Sequence, residues 1–242
     1  CFGAGTSLAQ HLPRGEWRNH PQPSTFALMA GELGWPQERT HCLGLHAQPF
    51  ETVLPLLATR QRFMCLLRDG AAAPRFAAWL SEQGWGASPM TVFSQVGGPQ
   101  AQTREGAAAE LAQSLLSDAL PAPLAVAFEA QGGVALSRAP GRPADCFAND
   151  GQITKSPVRA MTLAALAPRA GELLWDLGAG SGSVSIEWCL AGGRALCVEQ
   201  HAGRVANIEA NIRRYGAKAS VIHGGSMVIL ADANGLLLET VG

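Results

Sequence analysis

The 242-residue sequence predicts an α/β protein built in two parts. Three observations carry that reading. Between Arg62 and Phe128, strand-sized apolar runs alternate with helix-period segments. From Glu172 to His223 the order is β-α-β-α-β with short connections, the pattern of a parallel sheet covered by helices. Between the two, Arg138-Ala-Pro-Gly-Arg-Pro-Ala144 places two prolines and a glycine in seven residues, the composition of a boundary. The expected division is therefore residues 1–137, a linker at 138–145, and a second domain at 146–242.

The elements follow in order. Residues 1–13 read as a Gly-rich turn feeding a short helix, and Pro21-Gln-Pro-Ser24 breaks the chain. Phe26, Met29, Ala30 and Leu33 stand at i, i+3, i+4 and i+7, one face of a helix that Gly34 ends and Pro36 bars from continuing. Strands are expected at Arg62-Phe-Met-Cys-Leu-Leu67, Met90-Thr-Val-Phe93 and Leu124-Ala-Val-Ala-Phe128, with helices over 74–80 and 104–116 between them. In the second part a helix over Ser156–Leu166 begins with Pro157 in its first turn. Glu172-Leu-Leu-Trp-Asp176 is a strand, and a helix through Val184, Ile186 and Trp188 ends at Gly192-Gly193. Arg194–Glu199 is the next strand. A helix burying Val205, Ile208, Ile212 and Tyr215 stops at Gly216, and Ser220-Val-Ile-His223 is a third strand.

Composition excludes several classes. Apolar residues make up 47% and charged residues 15%, the reverse of a disordered chain. A chain of this length buries roughly 70–75% of its unfolded surface, so a core needs no metal or disulfide. The balance of 18 Lys+Arg against 19 Asp+Glu creates no field that would recruit nucleic acid or a membrane. The six cysteines show no CxxC pair and read as reduced, mostly buried thiols of a cytosolic protein. The six histidines are scattered, which argues against a metal cluster. Apolar tracts such as 124–128 and 227–231 are strand-sized, short of the roughly 18 residues of a membrane span. The chain opens with Cys1 and is expected to be a fragment or a processed product.

Chemistry concentrates at Asp176-Leu-Gly178-Ala-Gly180-Ser-Gly182, between a strand and a helix. Glycines there permit a tight turn and close approach of a ligand, and the amides of a helix start favour a negative group. The spacing is GxGxG, with Ser183 where a dinucleotide fingerprint carries its third glycine. Glu199 ends the following strand 23 residues after Asp176, close to the roughly 20 at which a carboxylate reaches ribose hydroxyls. This set fits S-adenosyl-L-methionine better than NAD. The helix start would take the methionyl carboxylate, Asp176 the ammonium side or a backbone contact, and Glu199 the ribose diol. Ala179, Ser181, Gln200 and Gly224 complete the expected cofactor set. Plain strand-end carboxylates and NAD binding stay open as alternatives.

Asp150-Gly-Gln-Ile-Thr-Lys155 followed by Leu173-Leu-Trp-Asp-Leu-Gly-Ala-Gly-Ser-Gly-Ser-Val-Ser-Ile-Glu-Trp188 resembles the decarboxylating C-terminal domain of the precorrin-6Y methyltransferase family of cobalamin synthesis. The N-terminal half resembles the tetrapyrrole methylase family in Phe2-Gly-Ala-Gly5, Pro23-Ser24, Ala30-Gly-Glu-Leu-Gly-Trp35, Leu45-His46, Gly84-Trp-Gly86 and Val96-Gly-Gly-Pro99. The resemblance implies the C-terminal lobe of a tetrapyrrole methylase followed by a Rossmann-like class I methyltransferase domain, incomplete at its C-terminus. This chain starts after the glycine-rich first strand and Gly-Asp-Pro loop of the first family, and its tail from Gly224 to Asp232 departs from the second.

The resemblance also implies an activity: methylation of a precorrin at two meso carbons with loss of carbon dioxide from an acetate arm. It implies Thr154 and Lys155 as cofactor-site residues, Lys155 and Arg159 as partners of substrate carboxylates, and a cytoplasmic homo-oligomer acting on neither nucleic acid nor membrane. No catalytic side chain is assigned. His223 reads as structural, Arg213 and Arg214 as a solvated face, and Trp175 and Trp188 as core. Two other readings stay open: another class I methyltransferase acting on a small molecule or RNA, and a non-catalytic cofactor-binding module.

Overall fold

The computed structural model describes residues 4–18, 20, 22–117, 120–225, 230–231 and 237–238. Its contacts divide the chain into two units, Cys1–Phe50 with Leu57–Val134, and Glu51–Leu56 with Ala135–Gly242. The stretch read as a linker thus groups with the second unit. It is tethered there through the Gly141 and Arg142 amides, which donate to Glu187 at 2.8 and 2.7 Å.

The first unit contains α1 (Ala4–His11), α2 (Thr25–Leu33), β1 (Thr40–Gly44), β2 (Arg62–Leu66), α3 (Ala72–Leu80), β3 (Pro89–Ser94), β4 (Gln102–Ala107), α4 (Ala108–Ser117) and β5 (Leu124–Glu129). The sheet order is β1-β2-β5-β3-β4, with β1 and β2 parallel and every other pair antiparallel. The central β5 is buried from Leu124 to Phe128, as its unbroken apolar run requires. On one side Phe63 and Phe128 stack at 4.8 Å and Phe76 of α3 leans on Phe128 at 5.7 Å. A second cluster gathers Phe26 and Met29 of α2 with Met64, Phe93, Ala125 and Ala127. Ser24 caps α2 by accepting the Ala27 amide at 3.1 Å, and Gly34 closes it in the left-handed region.

Two expectations are corrected here. Residues 104–107 are strand, not helix: β4 pairs with β3 from Ser94↔Gln102 to Pro89↔Ala107, and only then does α4 begin. Arg104 and Glu105 favour helix weakly, and the hairpin partner overrides that preference. The strand β1 went unpredicted because Thr-His-Cys-Leu-Gly offers neither alternation nor an apolar run, and all five residues are only half-buried.

The second unit contains α5 (Ser156–Leu166), β6 (Leu173–Leu177), α6 (Ser183–Leu190), β7 (Arg194–Glu199), α7 (Ala202–Tyr215) and β8 (Ala219–His223). The three strands are parallel in the order β6-β7-β8. Every residue of α6 except Val184 is buried. Beyond β8, Leu230–Ala231 pairs antiparallel with Leu237–Leu238; the rest of the expected tail, including Met227 to Ile229, lies outside the described residues. Among the described residues no helix is long and apolar enough to cross a membrane, and no group of three His, Cys, Asp or Glu side chains is placed to hold a metal.

Gly193, which precedes β7, lies under the buried indole of Trp188. A Cβ there would sit 2.1 Å from Trp188 Nε1, which itself donates to the Glu172 carbonyl at 3.3 Å. Gly193→Ala is therefore expected to lower the stability of the second unit by about 1–3 kcal/mol, the usual cost of overpacking. Urea unfolding followed by tryptophan fluorescence measures this.

Candidate cofactor site

The site forms at the carboxyl ends of β6, β7 and β8, where open parallel sheets bind ligands. After Leu177 the chain turns through Gly178, Gly180 and Gly182, all left-handed at φ 75°, 61° and 71°. Only glycine adopts this conformation without a steric penalty, so the GxGxG spacing is what builds the bend. Gly178 and Ala179 both donate to the Val198 carbonyl, at 2.9 and 3.0 Å, and Gly182 donates to the Ala179 carbonyl at 2.8 Å. Gly180 donates to Glu199 Oε2 at 2.9 Å.

Four of the five loop amides are thus used within the protein; they are not the amides at the start of α6, where the negative group is expected. What the glycines leave for a ligand is space. Nothing lies within 4 Å of the position a Cβ would take at Gly178, and the nearest atom at Gly180 is the Gln152 carbonyl at 3.7 Å. Gly182 serves packing instead, since a Cβ there would lie 3.2 Å from Ile208 of α7.

Glu199 is brought to the bend, as its position at the end of the second strand predicts. It is 3% exposed, and its other oxygen accepts the His201 amide at 2.9 Å. Burial pushes this carboxyl up, but the amides of His201, Gly180 and Gln200 and the charge of Arg204 together hold it below the ordinary carboxylate value. Asp176 behaves oppositely. Burial raises it, Glu199 adds to the rise, and the Ser185 hydroxyl at 2.7 Å and the Ser185 amide oppose it. The two acids therefore give the strand ends a negative field suited to a cationic ligand.

Other expected residues fall around this centre. Thr154 and Lys155 are exposed at the start of α5, at the end of a segment whose Gln152 passes over Gly180. Gln200 is exposed, and its carbonyl lies 3.0 Å from His223 Nε2, which accounts for that histidine structurally. The Gly224 amide donates to the Glu199 carbonyl at 3.0 Å and prolongs the sheet. The Ser181 side chain is buried, and its carbonyl accepts from Asn211 at 2.9 Å. Arg213 and Arg214 are exposed, Trp188 is core and Trp175 is half-buried. Burial pushes the thiols of Cys189 and Cys197 up to about 12 and about 11, so neither is a thiolate nucleophile near neutral pH.

Arg159 is corrected. It is fully buried, with Nε 3.1 Å from Glu187 Oε1, and its other nitrogens donate to the carbonyls of Thr154 and Arg142. Its ring-facing side covers Phe147 at 4.9 Å. A guanidinium so committed has no face left for a substrate carboxylate. Sequence reasoning missed Glu187 because a single acid in an apolar helix looks solvent-facing. Of the expected stripe Val205, Ile208, Ile212 and Tyr215, Ile208 and Tyr215 are buried and Ile212 packs against the core, but an apolar stripe gives no sign of Asn211, which is buried on the same side with Arg204 at its half-buried edge.

The first unit holds a separate cavity of about 300 Å3 at the end of its sheet, lined by Thr25, His46, Leu66, Phe93, Val96 and Leu124 among others. His46 and Val96 belong to the short motifs that carried the N-terminal resemblance.

A parallel sheet, a glycine bend between strand and helix, and a strand-end acid bonded to that bend define the second unit as a Rossmann-like α/β domain. Residues 145–235 match the precorrin methyltransferase domain family. Over 233 residues the chain is 38% identical to a decarboxylating precorrin-6Y C(5,15)-methyltransferase from Sinorhizobium sp, covering 95% of this chain and 56% of that protein. Its counterpart from Mycobacterium tuberculosis is 34% identical over 225 residues, 90% of this chain and 55% of that one. A solved C-terminal domain of precorrin-6Y C5,15-methyltransferase from Rhodobacter capsulatus is 61% identical, with TM-score 0.37, over 38% of this chain and 51% of that chain. The chain is a relative of the precorrin-6Y C(5,15)-methyltransferases and spans about half the length of those it matches.

Two outcomes follow from this geometry. Arg159→Ala would leave the buried Glu187 with its two amide donors but without its cationic partner, so unfolding stability should fall by about 3–5 kcal/mol, measured by denaturant titration. Glu199→Gln tests the depressed carboxyl. A group held low in the folded state stabilises above its unfolded value and loses that contribution as pH falls through the carboxylate range. The variant should therefore be about 1.5–3 kcal/mol less stable at neutral pH, and the gap should close in acid. Parallel unfolding curves at the two pH values read this out.

Proposed function

We propose that this chain is part of an S-adenosylmethionine-dependent methyltransferase that methylates a precorrin at two meso carbons and removes an acetate carboxyl as carbon dioxide. In this reading residues 1–137 are part of a tetrapyrrole methylase domain, and 146–242 belong to the class I methyltransferase domain. The observation that carries it is the junction of Gly180 with Glu199 beneath the Gln152 carbonyl: an acid, a bend with open space at Gly178, and an overlying segment meet at one sheet end. The similarity to decarboxylating precorrin-6Y methyltransferases supports the choice of reaction. In the same reading the enzyme is a cytoplasmic homo-oligomer.

When bound, S-adenosylmethionine supplies a methyl group on a cationic sulfonium. The chain's own part is to bind and orient. Glu199, ionised and rigidly held, offers acceptor lone pairs towards hydroxyl groups, and Asp176 adds negative charge behind the bend. Gly178 keeps the floor open. Residues 150–155 roof the loop and limit the access of water, which strengthens each electrostatic contact below. Lys155, exposed at the mouth, is the cation for a carboxylate arm of the substrate. Positioning of this kind accounts for much of a methyl transfer in which the electrophile is already activated, so no general base is required of the side chains. The first-unit cavity is the corresponding wall of a second cofactor cleft.

Calorimetric titration of the full chain with S-adenosylmethionine tests the reading, followed by incubation with precorrin and methyl-labelled cofactor. Saturable binding and label transfer with release of carbon dioxide are expected. Gly178→Val, which fills the open floor and is strained at φ 75°, should weaken cofactor binding at least ~10-fold, equivalent to about 1.4 kcal/mol. Undiminished binding by that variant, or no heat from the parent chain, overturns the assignment.

A further inference from the structure

Residues 146–150, which lead into the segment over the loop, are held by one face of α7. Their contacts run antiparallel to the helix. The Tyr215 hydroxyl donates to the Cys146 carbonyl at 2.7 Å, Asn211 pairs with Ala148, and Arg204 Nε meets Asp150 Oδ2 at 2.7 Å. On the same face Ile208 packs beneath Gly182. The four helix residues are spaced by 4, 3 and 4, so a single straight helix presents them all to one side.

Asn211 differs from the other three in touching both parts of the site. It is fully buried. Its Oδ1 accepts the Ala148 amide at 2.8 Å, and its Nδ2 donates to the Ala148 carbonyl and to the Ser181 carbonyl, both at 2.9 Å. A carboxamide has one acceptor oxygen and two N–H donors, and here each finds a partner. Ala148 lies 63 residues from Asn211 and Ser181 lies 30 away, so no local backbone rule fixes either distance. Aspartate lacks the donors and leucine lacks every polar atom. A buried group whose hydrogen bonds are all made holds its partners rigidly, whereas a half-satisfied one does not.

We propose that Asn211 is a positioning residue whose carboxamide sets the separation between the segment leading into the roof, at Ala148, and the glycine bend, at Ser181, and so the width of the cofactor site. The part concerning the cofactor rests on the function proposed above; the coupling of the two segments does not.

The test uses the full chain with Asn211→Asp, which keeps the acceptor for the Ala148 amide and loses both donations. Val205→Ala, on the same helix but outside this face, serves as the control for general destabilisation. Hydrogen exchange is followed over residues 146–152 and 178–183, and S-adenosylmethionine affinity is measured alongside. Exchange should quicken in both segments together in Asn211→Asp, with affinity weakened by about 10- to 100-fold, the range expected for a small misplacement at a distance. Val205→Ala should move neither. Exchange confined to α7, or parental exchange in both segments, overturns the proposal. Should Asn211→Asp fail to fold, Asn211→Ser is measured in its place, and loss of cooperative unfolding in both variants also overturns it, because the residue is then required for the fold itself. If the parent chain binds no S-adenosylmethionine, the functional assignment fails while the exchange result still decides this one.

Discussion

The pairing of the Glu199 carboxylate with the Gly180 and His201 amides is the constraint on which the second unit's site depends. A carboxylate removed from water needs partners, and here they are backbone groups on both sides of it in the fold: the bend after β6 and the start of α7. Satisfying the charge therefore fixes two chain turns against each other. The same contact commits the Gly180 amide, while Gly178 and Ala179 are committed to the Val198 carbonyl, so the bend is held by the protein's own groups.

A second layer of polar contacts holds what surrounds that centre. Glu187 gathers two amides and the Arg159 guanidinium inside the unit, and Arg159 passes the restraint to the Thr154 carbonyl. Such a buried pair is weak support for overall stability compared with a well-packed apolar replacement. Its effect here is directional. The residues that enter α5, including the exposed Lys155, have their backbone course set by groups that solvent does not reach.

Much of this was readable from the residues. The bounds Ser156–Leu166 and Arg194–Glu199 match the helix and strand observed, because Pro157 marks a first turn and a clean apolar run ends in an acid. Gly34 and Gly216 end their helices in the left-handed region, as their positions implied. The bend and its distance to Glu199 were also legible, since both follow from chain-local spacing. What was hidden depends on partners distant in sequence. β4 is a strand through its pairing with β3. Arg159 is structural because Glu187 lies opposite, and the face of α7 is set by contacts with residues 146–150. A lone arginine near a site motif reads as a ligand group until its counter-charge is known, and an asparagine in a helix reads as surface until the carbonyls it meets are known.

Helix α6 offers no outward surface apart from Val184, and three of its neighbours make specific use of it: Asp176 through Ser185, Gly193 through Trp188, and Arg159 through Glu187. A helix enclosed in this way accepts few substitutions without loss of stability. Substitutions are better tolerated on α5 and the outer side of α7, where Val158, Met161, Arg213 and Arg214 meet solvent. Surface change in this domain is therefore least costly on those outer helices, with the interior span kept intact.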